Sequence, residues 1–205
     1  MKTTRNPSAE DRALAIFHRH GGMLRTGKAL ELGIHPRTLY ALRDHGRLDA
    51  VARGLYRLAD LPPLAQPDLV AVVSAVPKGV VCMVSALSFH GITTQIPHQV
   101  DLALRRRGNI PKLQHPPLRI FWFSGPAFGE GVEHHDLDGV DVPVYSAPKT
   151  VADCFKYRNK IGLDIAIEAL RLCRRQRKAT VDELMHYADV CRVANVMRPY
   201  LEAML

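Results

Sequence analysis

A cluster of prolines divides this chain of 205 residues into two unequal parts. Three prolines lie within residues 60–67, and proline neither continues a helix nor pairs within a central strand. We therefore predict a linker over residues 61–67 that joins a small domain, residues 1–60, to a larger one, residues 68–205. Both parts are long enough to bury a core, because domains range from about 50 to 200 residues.

The first 60 residues carry the start and stop signals of three short helices. Ser8 is a typical N-terminal cap, and the glycines that follow residue 20 end the first helix. Gly33 lies in the turn between the second and third helices, and Pro36 occupies the first position of the third, where a missing N–H costs nothing. The predicted helices cover residues 9–20, residues 26–32 and a segment that begins at Pro36. Two short helices joined by such a turn are typical of a helix-turn-helix.

Two strand-like runs follow the third helix. They cover residues 47–52 and 55–58, and Arg53-Gly54 forms the turn between them. A hairpin in this position is a wing, with Arg53 at its tip. The first domain is therefore predicted to be a winged helix-turn-helix.

Positive charge is concentrated in this first domain. The chain has a net charge of +8, and its first 60 residues contain 11 Lys and Arg against 6 Asp and Glu. Such an excess favours a polyanionic partner, either nucleic acid or an anionic membrane surface. Leu39 and Leu42 form the inward stripe of the third helix. Arg37 therefore lies on the opposite face, flanked by Thr38 and Tyr40, where the helix would meet a DNA major groove.

Further candidates for DNA contact come from the second helix and the wing. We expect Arg25 and Thr26, with the first N–H groups of the second helix, to hold a phosphate. We expect Arg53 and Arg57 to add contacts to the backbone or the minor groove. The complete set of predicted DNA-binding residues is Arg25, Thr26, His35, Arg37, Thr38, Tyr40, Arg53 and Arg57. The alternative is a protein-interaction module whose arginines form a solvated face.

The second domain is predicted to be a larger mixed α+β domain, with its strands first and its helices last. Beyond Pro148 every segment has helical periodicity. Ser85 is predicted to cap a short helix, and Asp138-Gly139 to form a hairpin turn. The predicted strands cover residues 79–84, 100–104, 118–123, 131–137 and 140–145. The predicted helices cover residues 68–76, 86–90, 149–155, 163–175, 180–191 and 194–204.

A second basic surface is predicted in this larger domain, from a strip at helical spacing and a run of arginines after a strand. Its members are Arg105, Arg106, Arg107, Arg171, Arg174, Arg175 and Lys178. These side chains either bind nucleic acid, face a toxin, or are solvated charge that complements a helix dipole. The sequence leaves the three alternatives open.

The sequence lacks the common catalytic and metal-binding motifs. A nuclease core needs an acidic residue two positions before a lysine, and no Asp-x-Lys or Glu-x-Lys occurs. The four cysteines form no Cys-x-x-Cys pair, which is typical of buried free thiols. We therefore predict no catalytic residues, no metal and no cofactor. The alternative is a metal-dependent nucleic-acid-processing enzyme that uses Asp101, Glu133 and Asp136.

No apolar run approaches the roughly 18 residues that a membrane-spanning helix needs. The first residues are polar, where a secretory signal would be apolar. We therefore expect a cytoplasmic protein without a membrane partner.

Six segments of the chain carry a resemblance to a known family. They are GMLRT (22–26), LGIHPRTLY (32–40), ARGLYRL (52–58), SALSFHGIT (85–93), VYSAPKTVADCF (144–155) and NKIGLD (159–164). The first three resemble the winged helix of AbiEi-type antitoxins, the transcriptional regulators of type IV abortive-infection toxin–antitoxin pairs. The other three resemble the C-terminal domain of that family.

The resemblance implies a bacterial, non-enzymatic protein that represses its own operon by binding repeats in the promoter. It also implies a C-terminal domain with antitoxin activity against a nucleotidyltransferase toxin, which the antitoxin opposes without necessarily touching it. A member without a toxin neighbour would keep the regulator role alone. Inverted repeats would accommodate two protomers, but the sequence shows no dimer interface.

Overall fold

The computed structural model of the chain describes residues 7–105, 113 and 115–204. Its contacts form two compact units. The N-terminal unit extends to Ala75 and includes Asp136–Asp141. The C-terminal unit is formed by Val76–His135 and by the chain from Val142 onwards.

The N-terminal unit continues through the predicted linker at residues 61–67 instead of ending at residue 60. The Arg57 guanidinium donates to the carbonyl of Pro62, and Arg25 Nη1 donates to the carbonyl of Ser74 at 2.9 Å. These bonds fix the proline segment and the helix after it to the preceding strands. The prolines therefore interrupt the helices and strands without separating the units.

The N-terminal unit begins with the predicted capping pattern. Asp11 N donates to Ser8 Oγ at 3.1 Å, and Ser8 N donates to the Asp11 carboxylate at 3.0 Å. The elements of this unit are α1 (Ala9–Arg19), β1 (Met23–Arg25), α2 (Thr26–Glu31), α3 (Pro36–Asp44), β2 (Leu48–Ala52), β3 (Leu55–Leu58) and α4 (Pro67–Ala75). The predicted order of helix, helix, turn, helix and hairpin is confirmed.

The wing hairpin, formed by β2 and β3, is part of a three-stranded antiparallel sheet with the order β1-β3-β2. Its strand β1 was not predicted, because three residues are too few for an alternating pattern. Met23 pairs with Arg57 and Arg25 with Leu55, so β3 is the central strand. The core beneath the sheet and helices includes Phe17, Leu39, Leu42, Leu48 and Leu58, each at most 2% exposed. The inward stripe predicted for α3 is confirmed.

The C-terminal unit is an α+β domain with a mixed five-stranded sheet. The elements are β4 (Val80–Val81), α5 (Met83–Phe89), β5 (Val100–Arg105), β6 (Leu118–Phe123), α6 (Pro126–Gly129), β7 (Val132–Leu137), β8 (Val140–Tyr145), α7 (Ala147–Lys156), α8 (Arg158–Ile161), α9 (Leu163–Arg175), α10 (Val181–Val190) and α11 (Ala194–Glu202). The strand order is β6-β5-β4-β8-β7; β5 is antiparallel to β4 and parallel to β6, and β4 is parallel to β8. The predicted sequence of strands first and helices last is confirmed.

Asp138 and Gly139 form the turn between β7 and β8, as predicted. Their φ values are 54° and 83°, which is the left-handed conformation that a two-residue hairpin turn requires.

The segment before β5 differs from the prediction of a strand over 79–84 and a helix capped by Ser85. The strand is only Val80–Val81, and α5 begins already at Met83. Asp101 Oδ2 accepts the Val84 N–H at 3.0 Å and so satisfies the start of the helix from a neighbouring strand. Ser85 Oγ instead accepts the Asp101 N–H at 2.9 Å.

Helix α7 forms the centre of the C-terminal core. Every residue from Ala147 to Phe155 is buried, including Lys149 and Asp153. The four cysteines are free and buried, as predicted, and burial raises the pKa of the Cys173 thiol to about 11. Among the residues that the structure describes, no helix is long and apolar enough to cross a bilayer.

Candidate nucleic-acid interface

The outward face of α3 carries a cation, Arg37, at its N-terminal end, and Arg37 has no ion-pair partner among the residues that the structure describes. Arg37 is exposed, Tyr40 is 41% exposed and Thr38 is half-buried at the edge of the face. At the other end of the helix, Arg43 Nη2 lies 2.6 Å from Asp44 Oδ1 and the Arg43 guanidinium lies 5.2 Å from the centre of the Tyr40 ring. The acidic residue on this face is therefore neutralised by its neighbour, and Arg37 supplies the net positive charge.

His35 sets the start of α3. Its Nδ1 accepts the Arg37 N–H at 3.2 Å, and its ring is exposed. Because Nδ1 accepts, the proton of the neutral ring lies on Nε2. His35 thus fixes the first turn of the helix and presents an N–H donor beside Arg37.

The tip of the wing is fixed to the start of α2. Thr26 N donates to the Gly54 carbonyl at 2.8 Å, and Thr26 Oγ1 lies 3.3 Å from the same oxygen. Gly54 has a φ of 72°, which lets the chain turn there, and Arg53 beside it is exposed. The backbone N–H and the hydroxyl of Thr26 both donate to this carbonyl, so neither is free for the predicted contact with a phosphate.

Two of the predicted arginine contacts have other roles in the structure. Arg57 is only 8% exposed, because it lies on the central strand β3 and donates to the carbonyl of Pro62. It is therefore removed from the set of DNA contacts. Arg25 is exposed, but its Nη1 donates to the Ser74 carbonyl. Its guanidinium is held against α4 and is only partly available to a phosphate.

The predicted second basic surface is only partly formed. Arg171, Arg175 and Lys178 are exposed, whereas Arg174 is half-buried. Helix α9 ends at Arg175, so Lys178 lies beyond the helix and does not continue its spacing. At the end of β5, Arg105 is exposed and stacks on Phe128 at 5.1 Å from the ring centre. The predicted members Arg106 and Arg107 lie outside the described residues.

The acidic residues proposed for the enzyme alternative are not assembled into one site. Asp101 is 1% exposed and accepts two bonds from Arg119, at 2.7 Å and 2.8 Å. Burial raises the pKa of Asp101, and the Arg119 guanidinium opposes that rise. Glu133 and Asp136 are exposed, and Glu133 Oε2 lies 3.3 Å from His135 Nε2. Within the described ranges, no three His, Cys, Asp or Glu side chains are grouped to hold a metal ion.

The N-terminal unit is a helix-turn-helix followed by a hairpin with a basic tip, and the C-terminal unit is an α+β domain. The chain is therefore a winged-helix protein with a second domain. Residues 11–59 match the family model described as a transcriptional regulator, AbiEi antitoxin. The resemblance to that family is thereby confirmed for the winged helix. No curated protein matches the chain.

The fold of the whole chain is similar to that of a solved structure. The crystal structure of the RV2827C protein from Mycobacterium tuberculosis superposes with a TM-score of 0.62 at 13% sequence identity, over 97% of this chain and 82% of that one. At this identity the likeness concerns the fold alone. It extends the structural similarity beyond the winged helix into the α+β domain.

Proposed function

We propose that the protein is a DNA-binding transcriptional autorepressor and the antitoxin of a type IV toxin–antitoxin pair. The observation that carries the proposal is the exposed Arg37 on α3, in a winged helix whose sequence matches a family of transcriptional regulators. The operator lies in the protein's own promoter, as inverted repeats, and the protein acts in the cytoplasm. The partner toxin is a nucleotidyltransferase, which the protein opposes.

We expect the DNA contacts to come from α3 and the wing. Arg37 donates two hydrogen bonds to a guanine edge in the major groove, the commonest specific contact between a protein and DNA. Thr38 and Tyr40 contact the flanking bases or phosphates, and His35 donates from Nε2 to a phosphate. Arg53 at the tip of the wing contacts the backbone or the minor groove.

Binding of the labelled promoter fragment, measured by fluorescence anisotropy over a range of salt concentrations, tests these contacts. Arg37→Ala should weaken binding by about 1–3 kcal/mol and reduce discrimination against a scrambled operator. Arg53→Ala should reduce the slope of log K against log salt by about one. Arg19→Ala is the matched control, since it removes an exposed arginine of the same unit from the end of α1. Unchanged affinity and salt slope in both Arg37→Ala and Arg53→Ala would refute the assignment of this surface.

The antitoxin half is tested separately, by co-expression with a nucleotidyltransferase encoded beside the gene. The full chain under an inducible promoter should restore the growth that the toxin arrests. Arg37→Ala should restore growth equally, because neutralisation does not require operator binding. Failure of both proteins to restore growth at confirmed expression levels contradicts the antitoxin role and leaves the repressor role standing.

A further inference from the structure

A cleft of about 590 Å³ lies in the C-terminal unit, at the start of α7. His90 at the end of α5, Glu133 on β7, the turn after α9 and the outer residues of α10 form its other walls. Its volume is within the range of about 300–1,000 Å³ that small-molecule sites occupy. The contacts proposed for operator binding by α3 and the wing use none of the side chains that line it.

Ser146 is one of the residues that line this cleft. It is the N-terminal cap residue of α7 and is 6% exposed, but its side chain caps no N–H of the helix. Its Oγ is buried without a hydrogen-bond partner among the described residues. Thr180, the cap of α10 beside the same cleft, behaves in the usual way and accepts the Glu183 N–H at 3.2 Å. A buried hydroxyl without a partner is unfavourable, and a ligand in the cleft would supply the missing bond.

The start of α7 favours a negative group at this position. The helix has ten residues, and the N-terminus of a helix carries partial positive charge. Lys178 also lines the cleft, and it makes no ion pair within the part of the chain that the structure describes. An anionic group is therefore accommodated between Ser146 and Lys178.

The other side of the cleft favours a cation. Asp182 lines it and likewise has no ion-pair partner among the described residues. Two further acidic side chains line the cleft, Glu133 and Glu183, of which Glu183 is bonded to Thr180 and Glu133 lies close to His135. Three carboxylates would repel a phosphate dianion. One unpaired cation and one unpaired carboxylate are complementary to a small zwitterion.

We propose that this cleft binds a free α-amino acid. The carboxylate of the ligand accepts a hydrogen bond from Ser146 Oγ and pairs with Lys178. Its ammonium group pairs with Asp182. The site is separate from the operator contacts proposed for α3 and the wing, because those contacts use none of its residues.

The full chain titrated with each proteinogenic amino acid in turn, at millimolar concentration, tests the site. Amide resonances of Ser146, Ala147 and Lys149, followed by ¹H–¹⁵N NMR, should shift saturably with at least one amino acid. The amide and the N-acetyl derivative of that amino acid should produce no such shift, since each lacks one of the two charges. No saturable shift with any amino acid, or an equal shift with inorganic phosphate, overturns the proposal.

Two variants assign the contacts. Ser146→Ala should weaken binding about tenfold or more, the loss that corresponds to one hydrogen bond to a charged group. It should not lower the melting temperature of the free protein, because Ser146 caps nothing. Lys178→Gln should weaken binding as well, and Lys156→Gln, which changes an exposed lysine at the far end of α7, should leave it unchanged. A lower melting temperature of free Ser146→Ala, or unchanged binding in Ser146→Ala and Lys178→Gln, contradicts the site.

Discussion

Replacing Lys149 by methionine removes the cation from an ion pair that is completely buried. Lys149 Nζ lies 2.5 Å from Asp153 Oδ2, and neither side chain is exposed. The ammonium lies 4.1 Å from the centre of the Tyr145 ring and 4.9 Å from that of Phe123. Cys191 Sγ donates to the other oxygen of Asp153 at 3.1 Å. Burial raises the pKa of the Asp153 carboxyl, and the Lys149 ammonium opposes that rise.

The expected loss follows from leaving one member of the pair alone. Lys149→Met should lower the free energy of unfolding by about 3–5 kcal/mol, the cost of breaking a buried pair from one side. Methionine keeps an apolar stem against the two rings, so lost packing contributes little. At about 2–4 °C per kcal/mol for a chain of this size, the variant should melt about 6–20 °C lower.

The double variant tests the reasoning. Lys149→Met with Asp153→Leu removes both charges and leaves only the Cys191 thiol, a weak donor, without its acceptor. It should unfold within about 1–2 kcal/mol of the original protein, because well-packed apolar residues often replace a buried pair without loss.

Equilibrium unfolding in urea, followed by fluorescence, measures these differences. Trp122 is the only tryptophan of the chain and lies on β6 of the same unit. Lys156→Met, at an exposed position of the same helix, is the control and should change stability by no more than about 0.5 kcal/mol. Asp153→Leu alone is the second single variant. If the losses of unfolding free energy in Lys149→Met and Asp153→Leu simply add up in the double variant, the coupling between Lys149 and Asp153 is refuted.

Three further predictions concern other contacts. The hydrogen bond from the Thr94 hydroxyl lowers the pKa of Glu168 in the folded protein. The Glu168 carboxylate therefore contributes its full stabilisation at a pH above the ordinary pKa of a glutamate. That contribution is lost as the pH falls through the lower pKa that Glu168 has in the folded state. The melting temperatures of Glu168→Gln and the original protein should therefore differ at about pH 7 and converge at about pH 3, and a constant difference would contradict this. His35→Ala should destabilise the winged helix by about 0.5–2 kcal/mol in urea unfolding, whereas His35→Asn retains a cap; equal losses would show that no cap is involved. Arg57→Met should lower stability by about 1.5–3 kcal/mol and leave the salt slope of DNA binding unchanged, and a reduced slope would restore Arg57 as a contact.

Where local signals define an element, the sequence predicts it well. The cap at Ser8 lies three residues from its partner Asp11, and the predicted start of α1 is correct. The turn at Asp138-Gly139 depends only on the two residues that adopt positive φ. The apolar stripe of α3 likewise identified the outward position of Arg37.

Where a residue distant in sequence determines the start of an element or the role of a side chain, the local sequence pattern does not predict it. Helix α5 begins early because Asp101, 17 positions beyond Val84, accepts its N–H. Arg57 follows the alternation of an exposed strand residue, but the unpredicted strand β1 makes β3 central and the Pro62 carbonyl takes its guanidinium. Ser146 occupies the position of an ordinary cap, and only the folded structure shows that its hydroxyl has no hydrogen-bond partner among the described residues.

The N-terminal unit therefore has fewer cations available for DNA than its sequence indicates. Of the four arginines predicted to contact DNA, Arg57 is buried and Arg25 is held against α4. Arg37 and Arg53 remain exposed. In the proposed complex, Arg53 contacts the backbone, and Arg37 neutralises phosphate charge beside the base that it reads. Because each neutralised phosphate contributes about −0.9 to the slope of log K against log salt, these two cations give a slope of about −2 per protomer.

So few contacts make a single winged helix a weak operator ligand, which favours two protomers on inverted repeats. Two protomers bound to one operator give a slope of about −4, because the contacts of each add. A slope much steeper than about −4 requires additional cations at the DNA. Arg171 and Arg175 of the C-terminal unit are exposed and would supply them. The salt slope of operator binding thus distinguishes a solvated basic strip from a second DNA-binding surface.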